Sequence, residues 1–283
     1  MDPAADALSP VAGSLIAGIL VMSLVLWFSP ARVRASGVPL SPWRPSALDF
    51  GLFAWGVFII FLFHGPVLGR IIGADNLRGE GTLGPVWPSI LMGLLLQGLF
   101  ISLFFAMRRL YPNAFGFALS SVKLGWIVAV RKAGFFFLTR LPIVWAISMV
   151  WIVVLQELRE WGVPVEPRSQ EIISVIIQAG GPLQWLLLTL MIVVAAPIGE
   201  ELIFRGGFFR FFLGRMGRRH ARVLSALVFA SLHMSLTQLL PLAAVGYFMA
   251  RAYEKTGSIK VPILFHAFFN LQSLLLLLAQ QSG

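Results

Sequence analysis

The chain has 283 residues, of which 58% are hydrophobic and only 12% are charged. A soluble globular domain usually carries about 25% charged residues, so this composition excludes an ordinary water-soluble protein. The sequence contains no Cys, which excludes disulfides, zinc–thiolate sites and thiol nucleophiles. The formal net charge of +10 would suit binding to a nucleic acid. In a membrane protein, however, basic residues gather in cytoplasmic loops, so we expect contact with membrane lipids and no nucleic-acid partner.

Runs of about 20 nearly uncharged residues recur along the chain, as a bilayer core roughly 30 Å thick requires. They predict an all-α polytopic membrane protein with about eight transmembrane helices. The predicted spans are residues 11–30, 48–66, 87–107, 134–155, 183–204, 221–236, 238–252 and 260–279. The segment 115–133 carries basic residues among apolar ones, and we expect it to lie along the cytoplasmic surface as an amphipathic helix.

Lys and Arg are distributed unevenly between alternate connections. Of the 22 basic residues, 17 lie in the segments 31–47, 107–133, 205–222 and 251–260. Because cytoplasmic loops are enriched in Lys and Arg, this distribution predicts that both termini are non-cytoplasmic. The span 238–252 is short, and the last helix would be inverted if that span did not cross. The enrichment of cytoplasmic loops in basic residues also explains a cluster formed by Arg215, Arg218, Arg219 and Arg222. Alternatively, this cluster could form a rim that attracts anionic lipid or carboxylates.

Ionisable side chains are rare inside the predicted spans. A charged group at bilayer depth costs at least about 2.5–3.5 kcal/mol, so each one is a candidate functional residue. Glu200 and Glu201 form a carboxylate pair within an apolar helix, and His233 and His266 lie in the sixth and eighth spans. These four residues are therefore the first candidates for a site.

The adjacent carboxylates must have different roles, because successive helical residues point about 100° apart. Glu201 and Arg205 are four residues apart and can form an ion pair on one helix face, which could also be their whole contribution. Glu200 then has no cation nearby in the sequence, and a carboxyl group in an apolar site is suited to moving protons. We expect His233, on the next helix, to be its partner.

His266 and Asn270 are one turn apart and can direct two hydrogen-bond donors toward one point. A pair of fixed donors in a low-dielectric cavity stabilises a developing oxyanion. With a water held between Glu200 and His233, this set suits hydrolysis of a peptide bond within the membrane. Two alternatives remain open: Asn270 could bond a neighbouring helix, and the carboxylate with both histidines could bind zinc.

Three motifs in separate predicted helices resemble those of a known family, the CAAX protease and bacteriocin-processing (CPBP) family of glutamic-type intramembrane proteases. The motifs here are Glu200-Glu201-x-x-x-Arg205, Phe229-x-x-x-His233 and His266-x-x-x-Asn270. The matched region covers roughly residues 183–279. The resemblance implies N-terminal helices with the amphipathic segment over residues 1–182 and a catalytic core over 183–283, with a cavity opening toward the cytoplasm.

The resemblance also implies roles for these residues. Glu200 would activate water together with His233, His266 and Asn270 would form the oxyanion pocket, and Glu201 and Arg205 would support the site. Neither a metal nor a cofactor is expected. The implied substrate is a lipidated or tail-anchored membrane-associated protein cut near its C-terminus, in a bacterial inner membrane. The alternative is a non-catalytic family member that acts as a bacteriocin-immunity or scaffold protein.

Overall fold

The computed structural model describes residues 9–29, 33, 35–41, 43–78, 80–115, 118–163 and 171–281, and these contain helices and no β-strand. Both chain ends, whose side of the membrane is predicted above, lie outside these residues. The helices are α1 (Pro10–Phe28), α2 (Ala47–Ile72), α3 (Ala74–Leu77), α4 (Val86–Leu110), α5 (Pro112–Phe115), α6 (Trp126–Glu160), α7 (Glu171–Gln178), α8 (Pro182–Leu190), α9 (Ala196–Glu201), α10 (Arg210–Ser231), α11 (Leu239–Thr256) and α12 (Lys260–Gln281).

In the described part of the chain, six helical segments are long and apolar enough to cross a membrane. They are Pro10–Phe28, Ala47–Ile72, Val86–Leu110, Trp126–Glu160, Pro182–Ser231 and Lys260–Gln281. The prediction of an all-α polytopic membrane protein is therefore confirmed.

The sequence prediction of about eight spans differs from these six at two places. The predicted spans 183–204 and 221–236 belong to one helical run, Pro182–Ser231, which bends at Gly217, where φ is 78°. The predicted span 238–252 corresponds to α11, which is an 18-residue helix. Its last two turns carry Arg251, Glu254 and Lys255, and so it is too charged to count among the six.

Helix α6 is longer than the sequence suggests. From Trp126 onward, the segment expected to lie on the surface forms the first turns of α6, which continues through Pro142. A proline removes the hydrogen bond to the carbonyl four residues earlier, here that of Leu138. The hydroxyl of Ser23 on α1 donates to this carbonyl at 2.6 Å, so the lost bond is replaced from a neighbouring helix. The helix can therefore continue across the proline.

The packing places α9 at the centre of the candidate site. α9 contacts α4 on one side and α12 on another, and α10 packs along α11. Two π-helical segments, Met191–Ala195 and Leu202–Phe209, flank α9. Such widened turns occur frequently at functional sites, because they rotate the side chains that follow them. Here they set the directions of Glu200 and Glu201 relative to the rest of the helix.

Candidate active site

One oxygen of Glu200 is fixed by a residue on α4. Gln97 Nε2 donates to Glu200 Oε1 at 3.2 Å, and the Gln97 side chain is buried. A Cβ at position 199 would lie 2.4 Å from Gln97 Oε1, so a larger residue there would displace the Gln97 amide from this position. Within the described residues, Glu200 Oε2 has no hydrogen-bond partner. Glu200 therefore has one oxygen held by Gln97 and one buried oxygen without a hydrogen bond to the described part of the chain.

Glu201 and Arg205 form the ion pair that the spacing predicts. Arg205 Nη1 donates to Glu201 Oε1 at 2.6 Å, and both side chains are fully buried. Arg205 Nη2 donates to the carbonyl of Gly246 on α11 at 3.0 Å, and the guanidinium lies 4.7 Å from the centre of the Phe229 ring. A buried ion pair persists only when such additional contacts compensate for lost hydration. The pair therefore joins α9 to α10 and α11.

His266 lies between the two carboxylates. Its Nδ1 is 3.2 Å from Glu201 Oε1, and its Nε2 is 3.8 Å from Glu200 Oε2. A carboxylate oxygen accepts, so Nδ1 carries the proton that is donated to Glu201. This bond fixes the orientation of the ring and directs Nε2 toward Glu200. The imidazole within ion-pair distance of Glu200 is thus that of His266, whereas the sequence analysis paired Glu200 with His233.

His233 lies in the turn that follows α10. Its Nδ1 is 2.9 Å from the carbonyl oxygen of Phe229. A carbonyl can only accept, so Nδ1 is the nitrogen that carries the donated proton. The Phe229 ring packs edge-on against both His233 and His266, with centroid distances of 4.9 and 5.7 Å. Phe229 thus separates and orients the two imidazoles.

Asn270 makes the contact with a neighbouring helix that the sequence left open. Its Nδ2 donates to the carbonyl of Ile192 at 2.8 Å. Ile192 lies in the π-helical segment, where its carbonyl would accept from the residue five positions later, and that residue is Pro197, which has no N–H. Asn270 supplies the missing donor. Its side-chain oxygen and second N–H are not used in this bond.

Four of the predicted site residues line one cavity of about 930 Å³: Glu200, His233, His266 and Asn270. Glu201 and Arg205 are not among the lining residues and lie behind it. The lining is otherwise largely apolar, with hydroxyl and amide groups from Ser148, Ser235, Thr237, Gln238 and Ser273. This volume lies within the range of about 300–1,000 Å³ that ligand-binding sites span.

The cavity and the basic segments lie at opposite ends of the helices. Along α12 the lining residues run from His266 to Leu277, away from the basic end at Lys260. On α10 and α11 they lie beside the turn 232–238, again opposite the basic ends. If the basic segments are cytoplasmic, the cavity extends toward the other side. The cytoplasmic opening that the family resemblance implies is therefore incompatible with the orientation that the charges predict.

A zinc site would require several His, Asp or Glu side chains grouped around one point. Across the part of the chain that the structure describes, no three His, Asp or Glu side chains are grouped so that they could hold a metal ion.

Gln97 is the contributor to the site that sequence analysis missed. It is a lone amide in an apolar helix and belongs to none of the three motifs. Gln97 lies 103 residues before Glu200 in the chain, and the two side chains meet because α4 packs against α9. The available signal was one amide side chain within an otherwise apolar span, because a polar side chain inside a membrane requires a hydrogen-bond partner.

Comparison with known proteins agrees with these motifs. Residues 182–272 match the family model described as "Type II CAAX prenyl endopeptidase Rce1-like". Over this region, the chain is similar to the CAAX protease and bacteriocin-processing family that its motifs resemble. The chain is also 31% identical over 140 residues to YdiL of Bacillus subtilis (strain 168), a protein whose name includes the words "membrane peptidase". That match covers 46% of this chain and 54% of YdiL, so it spans about half the relative's length. No solved structure matches the chain.

Proposed function

We propose that this protein is an intramembrane endopeptidase that cuts a membrane-associated protein, lipidated or tail-anchored, near its C-terminus. The observation that carries the proposal is the 3.8 Å approach of Glu200 Oε2 to His266 Nε2 at the wall of a cavity. His233 and Asn270 line the same cavity. The match of residues 182–272 to a family model described by its endopeptidase activity supports the same reaction.

In this mechanism, Glu200 is the general base. Gln97 occupies its Oε1, so Oε2 accepts a proton from a water in the cavity, and the resulting hydroxide attacks the carbonyl carbon of the scissile bond. His233 lines the same cavity and assists in orienting the water. The proton held by Glu200 then passes to the departing amine. No covalent intermediate with the protein forms.

The oxyanion is stabilised by His266 and Asn270. His266 donates Nδ1–H to Glu201, and a proton on its Nε2 is donated to the oxyanion. The second N–H of Asn270 is the other donor, because the first is bound to the Ile192 carbonyl. Losing one such donor commonly lowers the rate by about 10²–10³.

We also propose that the protein resides in a bacterial inner membrane, with the basic segments in the cytoplasm and the cavity entered from the opposite side. The basic ends of α10 and α11 and the cavity lie at opposite ends of these helices. The Cys-free chain makes a direct test possible. Met234→Cys, at an exposed position beside the cavity, should react with a membrane-impermeant maleimide added outside intact spheroplasts, whereas Arg219→Cys should react only after lysis. The reverse pattern would invert the orientation.

A comparison of membrane-protein C-termini tests the activity. Cells that lack this protein should accumulate at least one membrane protein with an uncut C-terminus, and wild-type protein supplied in trans should restore the shorter form. Mass spectrometry of C-terminal peptides measures both forms. Identical C-terminal peptides in both strains would contradict the proposed cleavage and favour the non-catalytic immunity or scaffold role.

A further inference from the structure

A second cavity of about 1050 Å³ lies at the other end of α10 and α11. It is lined by the segment 35–40, by the region around Gly217 and by the last turns of α11. Its charged lining residues comprise five cations and one carboxylate: Arg218, Arg219, Arg222, Arg251, Lys255 and Glu254. We call this cavity the basic pocket. It shares no lining residue with the cavity at Glu200.

The single carboxylate of the basic pocket is already engaged. Arg218 Nε lies 3.3 Å from one oxygen of Glu254, and Arg222 Nε lies 3.6 Å from the other. Arg219 and Arg251 are exposed, and within the described residues neither forms an ion pair. The pocket therefore retains a positive charge that the described part of the chain does not neutralise. This excess attracts an anionic group.

The backbone at Gly217 gives the pocket its shape. Its φ of 78° interrupts α10 and turns the chain, so that Arg218, Arg219 and Arg222 face the segment 35–40 and the end of α11. An L-residue is strained at this φ even though a Cβ there would meet no atom within 4 Å. The glycine thus permits a bend that assembles the cations from two helices.

Neighbouring aromatic side chains place the basic pocket at the depth of lipid headgroups. The segment 35–40 follows α1, which ends in the exposed residues Trp27 and Phe28. At the same end of the bundle, exposed Trp126 at the start of α6 lies 4.3 Å from Lys260 Nζ. Trp and basic residues at helix ends are typical of the membrane–water interface. The pocket also includes the apolar residues Val38, Leu40 and Leu213, which suit the glycerol and first acyl carbons of a lipid.

We propose that the basic pocket binds the phosphate headgroup of an anionic phospholipid. Basic pockets between transmembrane helices on the cytoplasmic side bind such headgroups, and each nearby Lys or Arg strengthens the attraction. Arg219 and Arg251 contact the phosphate, while Glu254 holds Arg218 and Arg222 in place. Because the cavity at Glu200 contributes nothing to this site, binding does not depend on proteolysis.

Native mass spectrometry of the full-length protein in detergent tests the proposal. Dioleoyl-phosphatidylglycerol should bind the wild-type protein more tightly than dioleoyl-phosphatidylcholine. The double variant Arg219→Gln/Arg251→Gln should weaken phosphatidylglycerol binding by about tenfold, because it removes two cations at the headgroup. Both residues are exposed, so the variant retains its packing. The matched control is Arg109→Gln/Arg131→Gln, which removes two exposed cations outside the pocket and should leave the affinity unchanged within twofold.

Equal losses of phosphatidylglycerol binding in the two double variants would overturn the proposal, since the effect would then come from overall charge. A second measurement separates the lipid from free phosphate. Inorganic phosphate in large excess over the lipid should displace little of it, because it lacks the glycerol and acyl contacts. Complete displacement would assign the pocket to a soluble phosphate and would reject the lipid.

Discussion

Glu200→Gln is expected to lower kcat for peptide-bond hydrolysis by about 10²–10⁴, the usual contribution of a positioned general base. The amide keeps the size of the carboxylate, and its oxygen can still accept from Gln97, so KM should change little. Only the ability to take a proton from water is lost. The measurement is the initial rate of cleavage in proteoliposomes, using the substrate recovered from the comparison of C-termini.

Matched substitutions separate this effect from general damage. Glu160→Gln, at the exposed end of α6, should cleave at the wild-type rate. Gln97→Leu removes the hydrogen bond that positions Glu200 and should lower kcat by about tenfold, whereas Gln272→Leu, at a buried amide outside the cavity, should not. Wild-type turnover by Glu200→Gln would remove Glu200 from the mechanism and leave the non-catalytic role as the better explanation.

Arg205→Met is expected to destabilise the folded protein by about 3–5 kcal/mol, because it leaves the buried carboxylate of Glu201 without its cation. The same change removes the hydrogen bond to the Gly246 carbonyl and the contact with the Phe229 ring. The measurement is the thermal unfolding midpoint of purified protein in detergent, followed by tryptophan fluorescence.

The chain provides an exposed ion pair for comparison with the buried one. Arg78 contacts Asp75 at 2.5 Å and Glu80 at 3.1 Å, and all three side chains are more than half exposed. Surface pairs contribute about 0–1 kcal/mol, so Arg78→Met should hardly change the midpoint. The double variant Glu201→Gln/Arg205→Met should recover part of the lost stability because no unpaired charge remains. Equal midpoints for Arg205→Met and Arg78→Met would show that burial of the Glu201–Arg205 pair contributes no stability.

The sequence was sufficient to predict the helical class and the residues that line the cavity. Charged and strongly polar side chains are so costly in a membrane that Glu200, His233 and His266 stand out without any structure. The Glu201–Arg205 pair also follows from local geometry, since a four-residue spacing fixes the two side chains on one face. These features depend either on spacing within one helix or on the free-energy cost of placing a polar side chain in the membrane.

The contacts between helices could not be predicted in the same way. The pairing of Glu200 with His266, and the participation of Gln97, depend on how α4, α9 and α12 pack, which no spacing within one helix encodes. The length of α6 was underestimated because its basic first turns were assigned to a surface segment, residues 115–133. The passage of α6 through Pro142 depends on the hydroxyl of Ser23, more than a hundred residues away. Charge distribution and family resemblance gave conflicting expectations for the cavity, and only the helix directions revealed the conflict.

The missing amide hydrogen of Pro197 has a consequence for Asn270. The side-chain amide of Asn270 has two N–H groups. One of them is donated to the Ile192 carbonyl, for which Pro197 has no N–H to donate. The same bond prevents the side chain from rotating, so the remaining proton is held in a fixed direction before any substrate arrives. The hydrogen bond that Pro197 cannot donate thus fixes the side chain of Asn270, which lies on α12.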